Sequence, residues 1–341
     1  MRISTAALAT LAALSFAGAA EARDQVKIAG SSTVLPFANV VAEQFGKANP
    51  KFKTPIVESG GSSAGLKTFC AGVGENTIDI ANASRPIRPT EVDACKAAGV
   101  KDIIEVRIGY DGIVFASSVK AASFAFEPKH LYLALAKDVP QGGKLVPNPY
   151  TNWKQVDASF PDQEIRLFIP GEKHGTREVF EEKVMSIGCK EFAEVKALAD
   201  AKAQHAACVS VRKDGRSIDI DGDYTETLAR IQSTPTGIGV FGLSFYEQNR
   251  DKVKVAPVAG VVPSLETIAT GKYPVSRPLY FYVKKAHLGA IPGLKEYVDF
   301  FLSDRMVGPE GAAVDKGLIP MPASELKSQR EQFTKGQTLG S

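Results

Sequence analysis

Serine, threonine and glycine gather at three places where an apolar run gives way to a helical pattern: GSSTVLPF at 30–37, ESGGSSAGLKTF at 58–69 and FIPGEKHGTREVF at 168–180. Hydroxyls and glycine amides are neutral hydrogen-bond donors. A helix start adds backbone N–H groups without intrahelical partners and the positive end of the macrodipole, so an oxyanion is favoured there by both. Holding an oxyanion without a metal needs many such donors plus one or two fixed positive charges. Ser32, Thr33, Ser62, Ser63, Thr176 and the Gly175 amide are the neutral candidates, and Arg85 and Arg177 are the charged ones. Each also has an ordinary use. One of Ser31, Ser32 and Thr33 is expected to cap its helix, and Arg177 is spaced to pair with Glu181 one helical turn on.

The elements around these turns alternate between strand and helix, which argues for an α/β architecture with mainly parallel sheets. Residues 26–29 read as a short strand; Leu35, Val40, Val41 and Phe45 then recur at helical spacing, with Pro36 in the first turn, where its missing donor costs nothing. The second unit puts Leu66, Phe69, Cys70 and Val73 on the apolar face of a helix that starts near Ser62 or Ser63. The third runs from a strand at 165–169 into a helix with Val179, Phe180, Val184 and Ile187 on one face. Donors thus fall at the carboxyl ends of strands, where open α/β sheets bind ligands. Two further apolar segments, 103–117 and 279–283, bracket the middle third of the chain. As crossings between lobes they divide it into one lobe of 23–112 with 279–341 and another of 113–278, around a cleft able to close. Tyr110 and Asp111, on the first crossing, are expected to pack or to fix the hinge.

The chain opens with MRISTAALATLAALSFAGAAEA, whose basic residue, short apolar core and small-x-small ending read as a secretory signal peptide, 1–22, cleaved after Ala22. The core is too short to span a bilayer, and no Cys follows it to carry a lipid anchor. A periplasmic protein is the simplest expectation. Cys70 with Cys95, and Cys189 with Cys208, are close enough in sequence for two local disulfides in an oxidising space, although four cysteines allow three connectivities. His130, His174, His205 and His287 are scattered without zinc-site spacing, so neither metal nor other cofactor is expected. The formal net charge is +3, and removing 1–22 takes away one positive residue (Arg2) and one negative (Glu21), leaving it unchanged. That balance is weak, and no Lys/Arg run interleaved with aromatics argues for a nucleic acid partner. No later segment is apolar enough to span a membrane.

Eight segments, in order, resemble the periplasmic phosphate-binding protein family of the high-affinity ABC phosphate importer. They are GSSTVLP, ESGGSSAGLK, DIANASRPI (79–87), GYDGIVF (109–115), HGTREVF (174–180), STPTGIGVFGLSFYE (233–247), YPVSRPLYFYVKK (273–285) and YVDFFLSDRMVGPEGAAVDKGLIPMP (297–322). The resemblance implies a two-lobed periplasmic binding protein of type II, each lobe a mainly parallel sheet flanked by helices and the two joined by two crossing strands. It implies a monomer that is not an enzyme. Its partners would be inorganic phosphate and the membrane permease of an ABC importer. The implied ligand set is Ser32, Thr33, Val34, Ser62, Ser63, Ser84, Arg85, His174, Gly175, Thr176 and Arg177.

Three positions, in two places, depart from the family pattern. The third loop of described members opens with an arginine and ends Ser-Gly-Thr, whereas here Pro170 stands at the arginine position and His174 at the serine, so Arg85 and Arg177 must supply the charge. Those members also carry a carboxylate where this chain has Ser84. A carboxylate facing the ligand accepts the proton of hydrogen phosphate and repels sulfate, so its loss makes sulfate the competing cargo. Asp79 is a candidate replacement, and His174 a second device for tuning selectivity. A phosphate-ester hydrolase is the alternative from another class. No G-x-S-x-G elbow, no acid to orient His174 and no P-loop ending support it.

Overall fold

A computed structural model describes residues 23–74, 76–172, 175–222 and 224–340, so the signal peptide expected at 1–22 and the ligand role expected of His174 lie outside the described residues. Strand β1 (Lys27–Gly30) feeds helix α1 (Leu35–Ala48), which buries Phe37, Ala38, Val41, Ala42 and Phe45 along one stripe. Strand β2 (Ile56–Ser59) leads into α2 (Ser62–Phe69), and β3 (Ile80–Ala83) into α3 (Pro89–Ala97). Both β2 and β3 pair parallel with β1, so their carboxyl ends and the turns that follow lie on one edge of the sheet. Val73, expected on the apolar face of α2, is 45% exposed because the helix ends at Phe69 and Val73 lies past it.

Strand β4 (Ile103–Ser118) is followed by helix α4 (Pro128–Leu135), hairpin β5 (Asp138–Gln141) with β6 (Lys144–Pro147), and short helix α5 (Trp153–Val156). Next come β7 (Leu167–Pro170), α6 (Gly175–Phe180), β8 (Ser217–Ile220), β9 (Ile238–Gly242), β10 (Val253–Ala256) and β11 (Ser276–Lys284). The sheet order is β2-β1-β3-β11-β4-β9-β7-β8, with β10 also on β4. The strands that carry the three turns sit in parallel groups, β2-β1-β3 and β9-β7-β8. The crossing strands run antiparallel to them and to each other. β4 changes partner along its length: through Gly112 it pairs with β11, and from Ile113 onward with β9.

Helix α6 passes into a π-helical turn, Glu181–Met185, before Ser186–Cys189. A π-turn holds more residues than an α-turn, so the apolar stripe slips in phase. Val179, Phe180 and Val184 are buried as the spacing predicts, while Ile187 turns outward at 41% exposure and Met185 and Cys189 take its place inside. Disulfides join Cys70 to Cys95 and Cys189 to Cys208, tying α2 to α3 and the helix at 186–189 to that at 201–209. Among the described residues no helix is long and apolar enough to cross a membrane.

Candidate functional site

The first turn is shaped by backbone that only glycine tolerates well. Gly30 has φ +142°, and a Cβ there would collide with the Asn82 carbonyl, while one on Gly65 of α2 would collide with Gly30 itself. This close approach sets the first two turns side by side, and the Gly60 and Gly61 amides both donate to the Gly30 carbonyl at 2.9 Å. Ser31 is buried, with Oγ facing the Val34 N–H at 3.4 Å, so it serves the helix start. Ser32 is exposed and Thr33 buried. In the second turn the Ser62 hydroxyl accepts from the Ser84 amide at 3.0 Å and lies 3.1 Å from the Ser84 hydroxyl, which locks α2 to the end of β3. Ser63 accepts from Arg85 at 3.0 Å. Arg85 in turn forks onto Glu91 at 2.7 and 2.9 Å, and that carboxylate holds the guanidinium above its ordinary pKa.

Across the cleft, Thr176 Oγ1 lies 2.5 Å from the Tyr224 hydroxyl, whose phenol is pushed far up by burial. Thr33, Asp111, Thr176 and Tyr224 line one cavity of about 180 Å³, closed further by Phe37 and Phe245. Arg177 points elsewhere. Its guanidinium donates to Asp219 at 2.6 Å, to Glu181 at 2.7 Å and to the Pro170 carbonyl at 3.0 Å, clamping α6 to the end of β7. It lines a separate surface hollow with Lys137 and Glu172. Asp79 is also remote from the turns, at the amino end of β3 where Ser84 follows the carboxyl end. It accepts from Arg23 at 2.6 and 2.8 Å, from the Lys27 amide at 2.8 Å and lies 2.6 Å from His287 Nδ1. Burial alone would push its carboxyl up; the hydrogen bonds from His287 and Arg23 overcome this and hold it below the usual range.

Lys316 lines the cavity itself, and a second cation, Arg277, for which the sequence offered little signal, is buried behind the lining residue Thr33. Its residue is 3% exposed, and it stands opposite Asp111 in the β4–β11 ladder. It donates to Thr33 Oγ1 at 2.8 Å, to Glu182 at 2.8 Å and to Glu178 at 3.4 Å, while Thr33 donates its own proton to Glu178 at 2.9 Å. Its Nε and the Asp111 Oδ2 are both buried without a hydrogen-bond partner and face each other at 3.7 Å. Burial pushes the Asp111 carboxyl up, against the pull of Arg277. The one hint in the sequence is an arginine between Ser276 and Pro278 at the mouth of an apolar crossing strand, a place where a charge needs a reason.

The arrangement therefore brings Ser62, Ser63, Ser84 and Arg85 together at the start of α2, outside the lining of the cavity that Thr33 and Thr176 share, with a buried guanidinium beside Thr33. Val34 is buried at the head of α1, and Gly175 opens α6. Among the described residues no cluster of His, Cys, Asp and Glu is placed to hold a metal ion. The chemistry on offer is hydrogen-bond donation to an anion. A family model described as a PBP superfamily domain matches residues 16–305. The phosphate-binding protein PstS of Staphylococcus haemolyticus is 31% identical over 320 residues, covering 92% of this chain and 86% of that protein. Protein SphX of Synechococcus elongatus is 29% identical over 315 residues, covering 91% of this chain and 81% of that one. The crystal structure of a possible phosphate binding protein from Planctomyces limnophilus superposes with a TM-score of 0.72 at 25% identity, covering 93% of this chain and 99% of that one. The chain belongs to the PBP superfamily and, within it, to the family of the phosphate-binding protein PstS.

Proposed function

We propose that this protein is the periplasmic receptor of an ABC phosphate importer: it binds inorganic phosphate between two lobes and hands it to the membrane permease. The observation that carries this is that Thr33 and Thr176, from turns on the two halves of the sheet, line one cavity, with the buried Arg277 guanidinium bonded to Thr33. Residues 23–112 with 279–341 form one lobe and 113–278 the other, a division supported by the change of partner in β4 between Gly112 and Ile113. Thr33, the Val34 amide, Ser62, Ser63, Ser84, Gly175 and Thr176 are the donors, and His174, next to Gly175 in sequence, and Arg85 complete the set. Arg277 carries the charge, and Arg177 acts by positioning α6. Asp111 supplies the carboxylate missing at Ser84: it lines the same cavity, and a carboxyl raised by burial is the better acceptor for the proton of hydrogen phosphate.

The receptor works as a monomer and performs no chemistry on its cargo. Ser62 is engaged by Ser84 rather than by a base, which fits binding and not nucleophilic attack. Calorimetric titration of ligand-stripped protein with phosphate and sulfate tests the reading. Single-site phosphate binding with much weaker sulfate binding is expected; preferential sulfate binding, or turnover of a phosphate ester, would overturn it.

A further inference from the structure

We propose that Glu178 and Glu182 form an internal counter-anion, which competes with phosphate for Thr33 and Arg277 and latches the lobes together until phosphate displaces it. The inference rests on the phosphate reading for its ligand, and on geometry for the latch. Thr33 has a single O–H donor, and in this structure Glu178 accepts it. A phosphate oxygen and Glu178 cannot both receive that proton. The same exclusion applies at Arg277, where Nη1 is directed to Glu182 and Nη2 is shared between Thr33 and Glu178. With Asp111 opposite, one guanidinium faces three carboxylates, a setting that repels a divalent anion unless some of that charge leaves.

Exposure decides which groups leave. Arg277 and Asp111 have side chains 3% and 14% exposed, whereas Glu178 and Glu182 are 36% and 48% exposed. A half-exposed carboxylate regains its hydration on swinging outward, so its release costs little. Asp111 stays as the buried counter-charge, but its closest approach is 3.7 Å to Nε, so the Nη groups that the two glutamates vacate are left for a replacement anion. Thr33 and Glu178 lie on different lobes of the proposed division, so the bond between them holds the cleft shut. Only the fraction of molecules with the latch open accepts phosphate, which weakens the apparent affinity by that fraction.

The test compares wild type with Glu178→Ala, Glu182→Ala and the double variant, which remove the acceptor oxygens as well as the charge. Two quantities are measured: phosphate affinity by calorimetry, and phosphate-free lobe separation by energy transfer between unnatural-amino-acid labels at exposed Lys96 and Lys144. Circular dichroism confirms that each variant is folded. The double variant is expected to bind phosphate roughly tenfold more tightly and, without phosphate, to show a wider label separation than wild type. Unchanged or weaker phosphate binding in the folded double variant, with an unchanged separation, would overturn the proposal. If wild type binds no phosphate, the phosphate reading fails by itself, and the separation alone decides the latch: widening supports it and no change refutes it.

Discussion

At the scale of single residues, the account turns on Arg277 and Thr33. Arg277→Ala leaves Asp111, Glu178 and Glu182 around an uncompensated gap, so it is expected to cost about 3–5 kcal/mol of stability. Phosphate affinity should fall by more than tenfold, read by chemical denaturation and calorimetry on the same samples. Arg277→Lys keeps the charge but loses the fork that reaches Thr33 and Glu182 together, and should fall between the two. Arg85→Ala should weaken binding less, since Arg85 already spends its fork on Glu91. The hydroxyl-rich turns were legible in the sequence because a helix start is a local signal, written in neighbouring residues. Arg277 was not, because its role depends on a strand register that sets it opposite Asp111 and on α6 folding back from about a hundred residues away. Arg177 misled for the converse reason: it adjoins Thr176 in sequence, yet successive helix residues point to different faces, and it turns to Asp219.

At the scale of elements, the glycines and disulfides hold the turns in place. Gly30→Ala puts a side chain into the Asn82 carbonyl at a positive φ, and is expected to cost about 1–3 kcal/mol and to displace the 31–34 turn. The measurement is thermal unfolding alongside phosphate titration, and both should suffer. Replacing Cys70 and Cys95 together by Ala should lower stability by about 2–4 kcal/mol while leaving affinity near wild type, because the bridge ties α2 to α3 beyond the donor end of α2. The crossing strands were readable from their long apolar runs, and their observed bounds, Ile103–Ser118 and Ser276–Lys284, extend the expected ones by a few residues. The π-turn after α6 was not readable, since one inserted residue leaves composition unchanged and shows itself only in the outward turn of Ile187.

At the scale of the whole molecule, the two ends of the parallel group β2-β1-β3 do different work. The carboxyl end holds the turns, whereas the amino end holds Asp79, bound to Arg23 and His287, as a buried structural cluster. Because the Asp79 carboxyl is lower in the folded chain than in the unfolded one, its contribution is present above the ordinary Asp value and is lost as pH falls through the folded value. Wild type should therefore lose stability below about pH 4 more steeply than Asp79→Asn, which starts lower at neutral pH and keeps its phosphate affinity. A parallel acid limb in both proteins would contradict this. The central claim is that phosphate sits where the turns of both lobes meet Arg277, and a crystal structure of the protein grown with phosphate tests it most directly. The account predicts the anion between Thr33, the Ser62 to Ser84 wall and Thr176, with Arg277 turned to it and Glu178 released from Thr33. An anion bound instead in the hollow beside Arg177, or a cleft with Glu178 still on Thr33, would contradict it.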